Sequence, residues 1–164
     1  MEYSYAEGSV AVSDSVEEQV VLGTLGAFVG ALIGTICIVI LGQYSYVYGH
    51  GYGYIAYIGG VVMGFCAMGG YQLLGKKMSK KGIIITIVIM LVMVYVSNWI
   101  GYAIALADES LTLDFMTAFW EVQRVVRLGW IGGVYYYKDL VMLYVFMAFG
   151  MAIGAVPTIK KYFK

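Results

Sequence analysis

The sequence predicts an all-α polytopic membrane protein: four transmembrane helices, with an amphipathic interfacial helix between the third and fourth. Three observations point there. Of 164 residues, 62% are hydrophobic and only 12% charged, whereas a soluble domain carries about 25% charged residues. Four stretches, 20–41, 55–74, 83–107 and 140–159, contain no Asp, Glu, Lys or Arg, and about 20 apolar residues cross a hydrocarbon core about 30 Å thick. The apolar runs are continuous rather than alternating, unlike the strands of a transmembrane barrel. Helices are then the way to satisfy backbone polar groups in lipid.

Residues 1–19 form an acidic tail carrying Glu2, Glu7, Asp14, Glu17 and Glu18 without a single base. A secretory signal peptide would need a positive start, so none is expected. The first span, 20–41, is a glycine ladder. Gly23, Gly26, Gly30 and Gly34 recur at three- and four-residue steps and share one helix face. Small residues at that spacing let helix backbones approach closely where lipid offers no hydrophobic incentive to pack. The ladder serves either packing within the bundle or the seam of a larger assembly.

The turn that follows is rich in Tyr and Gly, with Tyr44, Tyr46, Tyr48, Tyr52, Tyr54 and Tyr57 around it. Rings with polar tips favour the headgroup region, so these read as a membrane-boundary belt, together with Trp99, Trp130 and Tyr135 to Tyr137. A binding surface for a partner or sugar is the sharper alternative. His50, the only histidine, reads as a solvated turn residue, since one imidazole without carboxylates or thiols makes a poor metal site.

The second span, 55–74, repeats the small-residue pattern with Ala56, Gly60 and Gly64. Cys37 and Cys66 fall at depths differing by roughly 10 Å at 1.5 Å per residue. A disulfide needs alpha carbons within about 7 Å, so the pair is expected to stay reduced. Lys76, Lys77, Lys80 and Lys81 crowd the next turn. By the positive-inside rule they place it in the cytoplasm, and counting spans puts both termini there too. The basic C-terminal tail 160–164, with Lys160, Lys161 and Lys164, agrees.

The third span, 83–107, carries Ser97 and Asn98 in its outer third, a candidate polar cavity or interhelical bonding pair. No ionisable residue lies inside any of the four stretches, which disfavours a proton-coupled route. The interfacial helix is predicted at about 112–128. Asp114, Thr117, Glu121, Arg124 and Arg127 form one stripe of it, and Leu111, Phe115, Phe119, Val122 and Val126 the other. Ser110 or Thr112 is its candidate cap, and Gly129 its stop. The fourth span, 140–159, brings Gly150 and Gly154, with Pro157 in its last turn.

A catalytic constellation does not emerge. Asp108, Glu109, Asp114, Glu121 and Asp139 gather on the outer side and read as solvated charge rather than as an acid–base pair. The ten methionines scatter among aliphatic neighbours as core filling, not as a copper ladder. No enzyme, cofactor or metal is therefore expected. Formal net charge is zero, and no basic face with interleaved aromatics exists to suggest nucleic acid.

The stretch Gly59, Gly60, Val61, Val62, Met63, Gly64, continuing into GYQLLGKKMSKKGIII at 70–85, is similar to an uncharacterised family of small four-span membrane proteins from Gram-positive bacteria. The shared turn has the form GY-x-LLG-x-K-x-SKKG, and the likeness covers about 26–94. The resemblance implies a bacterial cytoplasmic membrane location and no transferable activity. Two functional expectations follow from the residues themselves. One is a non-enzymatic structural or accessory subunit packing through its glycine faces against another membrane protein. The other is a small homo-oligomeric channel or transporter, with the first span's glycines around an axis and Asn98 near the mouth. The partners are the lipid bilayer and either another membrane protein or a second copy of the chain.

Overall fold

The computed structural model describes residues 19–47, 53–76, 79–109, 114–128 and 133–162. Five helices follow in order: α1 (Val20–Val47), α2 (Gly53–Gly75), α3 (Lys80–Glu109), α4 (Phe115–Arg127) and α5 (Gly133–Tyr162). Four of them, α1, α2, α3 and α5, are long and apolar enough to cross a membrane. The described residues are thus all-helical, and the four long apolar helices are compatible with a multi-pass membrane protein. His50, Trp130, Gly129, Ser110, Thr112, Lys77 and the tail before Gln19 lie outside the described residues.

Helix α2 is the centre of the bundle. It packs most extensively on α1 and next on α5, while α3 lies chiefly along α1 and touches α2 and α5 more lightly. One core joins all four spans through Ala31 and Ile38, Met63, Met90 and Val94, and Leu143 and Met147. Methionine suits such a core because its unbranched chain fills irregular gaps.

The glycines set the helix spacing. A Cβ on Gly26 would run into the carbonyl oxygen of Gly70, and a Cβ on Gly70 into that of Gly26. One on Gly30 would strike the Cys66 carbonyl, and one on Gly34 the Met63 side chain. On the other side of α2, Gly64 meets the Met147 carbonyl, Gly150 meets Val61, Gly60 faces Leu143 and Gly154 faces Met68. The glycine faces of α1, α2 and α5 therefore close on neighbours in the same chain. Backbone and side chains of the same chain already occupy that space.

The turn between α2 and α3 explains the motif at 70–82 in structural terms. The Tyr71 ring is fully buried in a slot left by three glycines. A Cβ on Gly23 would come within 2.7 Å of the ring, one on Gly75 within 3.1 Å, and one on Gly82 would overlap ring and hydroxyl. Ser79 then caps α3, its Oγ accepting from the Gly82 N–H at 3.2 Å and its carbonyl from the Ile83 N–H at 3.0 Å, which satisfies donors the helix start leaves open. The Gln19 N–H reaches the Gly75 carbonyl at 3.2 Å and ties the start of α1 to the end of α2. Between them Lys76 stops α2 in the left-handed conformation, φ 61°, where a Cβ costs roughly 1–2 kcal/mol. Lys76→Gly is accordingly expected to raise stability by about 1 kcal/mol. A thermal melt in mild detergent checks this, and an unchanged midpoint would count against the strain.

Two elements differ from the sequence reading. Helix α5 begins at Gly133 rather than at 140, so Lys138 and Asp139 belong to it and to the apolar segment Tyr135–Ala155. Helix α4 starts at Phe115 with Asp114 as its N-cap residue, whose side chain makes no capping bond. Arg124 and Arg127 fall in its last turn, where positive charge offsets the negative end of the helix. Ala118, Val122 and Val126 are its buried face, whereas Phe115, expected on the apolar stripe, is exposed along with Met116 and Trp120. The apolar surface of α4 thus exceeds what its contact with the bundle covers.

Candidate functional site

The polar side chains of the bundle concentrate at the end opposite the lysine turn, where α3, α4 and α5 meet. Helix α4 is held there by a small second core. Tyr102 and Ala103 of α3, Val122 and Val126 of α4 and Tyr136 of α5 pack together, with Trp99 and Phe119 against them. The Trp99 indole N–H donates to the Phe119 carbonyl at 2.8 Å, and Gln123 Nε2 donates to the Tyr95 hydroxyl at 3.2 Å. Each contact joins α3 to α4, so the amphipathic helix is fastened to the bundle by apolar packing and two directed bonds.

Asp139 is the first element of the site. Its carboxylate accepts from the Tyr57 hydroxyl at 2.9 Å through Oδ1 and from the Tyr102 hydroxyl at 2.7 Å through Oδ2. The residue is only 8% exposed. The sequence reading of Asp139 as solvated charge is thereby corrected: the carboxylate sits between three helices, α2, α3 and α5, and each oxygen has a phenol. Burying a carboxylate is tolerated where hydrogen bonds replace its hydration. Asp139 lies just before the charge-free run 140–159 but within α5, which starts at Gly133.

The second element surrounds Asn98. Ser97 and Asn98 are both fully buried. Ser97 Oγ lies 2.6 Å from the Met93 carbonyl oxygen and 3.1 Å from Thr35 Oγ1, and Thr35 in turn donates to the Ala31 carbonyl at 3.0 Å. That arrangement ties α3 to α1. Asn98 is different. Neither its amide nitrogen nor its amide oxygen has a hydrogen-bond partner, and the Tyr136 hydroxyl is in the same state. The Tyr136 hydroxyl stands beside both the Asn98 amide and the Tyr95 hydroxyl without meeting hydrogen-bond geometry with either. An unmade bond at a buried polar group costs about 1–3 kcal/mol, so these groups mark a place where a further polar atom would be welcome.

A small cleft adjoins them. It holds about 100 Å³ and is lined by Tyr95, Gln123, Val126, Arg127, Tyr136 and Tyr137. Tyr136 and Val126 are its buried residues, and the exposed Gln123, Arg127 and Tyr137 stand at its rim. Two of the three consecutive tyrosines expected in the boundary belt, Tyr135 and Tyr137, are indeed exposed, while Tyr136 turns inward. The signal that separates them is helical phase: once α5 is known to include them, Tyr136 and Asp139 share a face three residues apart.

The remaining candidates lie elsewhere. The packing glycines are spread along the α1–α2 and α2–α5 contacts. Lys76, Lys80 and Lys81 are exposed at the other end. Cys37 and Cys66 are free thiols. Among the described residues no group of His, Cys, Asp and Glu is arranged to hold a metal ion.

Comparison of the chain with family models, with curated proteins and with solved structures returns no match.

Proposed function

We propose that the chain is a non-enzymatic accessory or structural subunit of a bacterial cytoplasmic membrane. In this reading the lysine turn and both termini face the cytoplasm, and α4 lies along the outer interface. The positive-inside rule supports the orientation. Exposed Trp120 and Met116 beside the buried face of α4 support the interfacial placement, since they offer apolar area to the acyl boundary.

The observation that carries the functional reading is the closure of the glycine faces within the chain. A channel with the α1 glycines around its axis would need the face that Cys66, Met63 and Gly70 already fill. Association with a partner then falls to other surfaces, above all the apolar face of α1 formed by Val21, Leu25, Phe28, Leu32 and Ile36. Native mass spectrometry of the protein extracted from its own membrane in mild detergent tests this. A stoichiometric heteromeric mass is expected. A defined homo-oligomer that conducts ions or solutes after reconstitution would overturn the reading in favour of a channel.

A further inference from the structure

We propose that the cleft between α3, α4 and α5 is a binding site for a phosphate group. Three observations converge on it. The first is its lining, where Arg127 supplies the only full charge and Gln123, Tyr95 and Tyr136 supply polar ends. Arg124, one turn earlier, is bonded to Glu121 at 3.2 Å, whereas Arg127 makes no ion pair among the described residues. A guanidinium at the rim of a half-enclosed site is suited to bidentate recognition of an oxyanion.

The second observation is the set of unmade bonds. Tyr136 lines the cleft, its hydroxyl is buried and without a hydrogen-bond partner, and the unpartnered Asn98 amide lies beside it. Tyr136 is 4% exposed and Asn98 fully buried, so bulk water does not satisfy them. An oxyanion held by Arg127 at the rim gives the phenol an acceptor, and the phenol oxygen can then accept from Asn98 Nδ2. Asp139, three residues along α5, does not compete for these donors, because its two oxygens are engaged by Tyr57 and Tyr102.

The third is size and place. A volume of about 100 Å³ leaves room for a group of the size of a single tetrahedral phosphate. Tyr136 and Tyr137 lie within the first five residues of α5, near the positive end of that helix, and Arg127 offsets the negative end of α4. The cleft also stands at the level of Trp99, Tyr95 and the exposed Tyr135 and Tyr137, the ring types that favour the headgroup layer. The phosphate therefore has two possible sources, a phospholipid headgroup of that leaflet or free phosphate.

The test uses the full chain and two variants, Tyr136→Phe and Arg127→Gln. Each is titrated with phosphatidylglycerol, with diacylglycerol and with inorganic phosphate, read by native mass spectrometry for the lipids and by calorimetry for phosphate. Phosphatidylglycerol is expected to bind the wild type, and each variant to weaken it by about tenfold or more, as loss of a hydrogen bond to a charged group implies. Saturable binding of inorganic phosphate, equally sensitive to both variants, would bear out the site and name free phosphate as its source. Equal phosphatidylglycerol affinity in all three proteins, or equal binding of diacylglycerol and phosphatidylglycerol by the wild type, would overturn the proposal when inorganic phosphate also shows no binding that the variants weaken. Tyr136→Phe removes an oxygen that has no partner, so it is expected to fold, and it decides the matter alone should Arg127→Gln fail to.

Discussion

Gly30→Ala is expected to destabilise the protein by about 3 kcal/mol, and Gly30→Leu to leave little folded material. A Cβ at this position would occupy the space of the Cys66 carbonyl carbon and oxygen, with the Ala67 nitrogen 2.8 Å away. Those are backbone atoms of a neighbouring helix and cannot rotate aside as a flexible side chain would. The helices must separate, and the loss extends along the whole α1–α2 contact, including the mutual approach of Gly26 and Gly70. Overpacking a close-packed site costs about 1–3 kcal/mol and sometimes more. In lipid the loss is of van der Waals packing, the term that holds spans together when apolar burial offers no gain. Gly69→Ala is the matched control. Gly69 also lies within an apolar span, next to Gly70, but nothing stands within 4 Å of the Cβ it would gain. There the replacement should be neutral or stabilising by up to about 1 kcal/mol, because alanine has less backbone freedom to lose. Thermal melts of the two variants in the same detergent check the pair, and equal midpoints would refute the packing argument. The experiment also bears on any oligomer assay that uses Gly30: loss of assembly in Gly30→Leu would report a broken protomer before it reported a broken seam.

The contrast between Gly30 and Gly69 shows where the sequence is legible and where it stops. Four runs of apolar residues announce four spans, because crossing lipid is a requirement on composition and length that each run meets by itself. The three- and four-residue steps from Gly23 to Gly34 announce a close helix contact for the same local reason. Which helix comes close, and whether it belongs to this chain, is a tertiary fact that spacing does not carry. The tyrosines fail in the same way. Tyr71, Tyr102 and Tyr136 resemble the belt residues Tyr135 and Tyr137 in type and setting, yet the first three are buried. What distinguishes them are glycines, a carboxylate and an amide that become their neighbours only on folding. Helix α4 is readable from its periodicity, since a strong two-sided pattern over 13 residues fits an amphipathic helix and neither a strand nor a loop. Its exposed Met116 and Trp120 are not, because the bundle contacts use a narrower stripe than the apolar one.

Asp139→Leu is expected to be the most damaging single replacement of a polar residue, at about 3–4 kcal/mol. The charge-free run of the fourth span starts too late to include Tyr136, Lys138 and Asp139, and the reason is energetic. A carboxylate within a helix is excluded from an apolar setting only if it lacks partners, and the partners here come from residues 57 and 102, far away in sequence. Leucine at 139 fills much of the volume but removes the acceptor that the buried Tyr57 and Tyr102 phenols share, at about 1–3 kcal/mol for each bond lost. Asp139→Asn should cost far less, about 1 kcal/mol, since the amide oxygen still accepts from one phenol and its NH2 can donate to the other. Tyr57→Phe removes one bond and leaves the carboxylate its second, so an intermediate loss of about 1–2 kcal/mol is expected. The decisive measurement is the double-mutant cycle between Tyr57→Phe and Asp139→Leu. If the carboxylate and phenol act together, the phenol is worth little once Asp139 is gone. The coupling energy should then reach about 1 kcal/mol or more, within the range of about 0.5–3 kcal/mol typical of groups in contact. Strict additivity would mean that the buried acid is held by solvent after all, and the three-helix clamp would be abandoned.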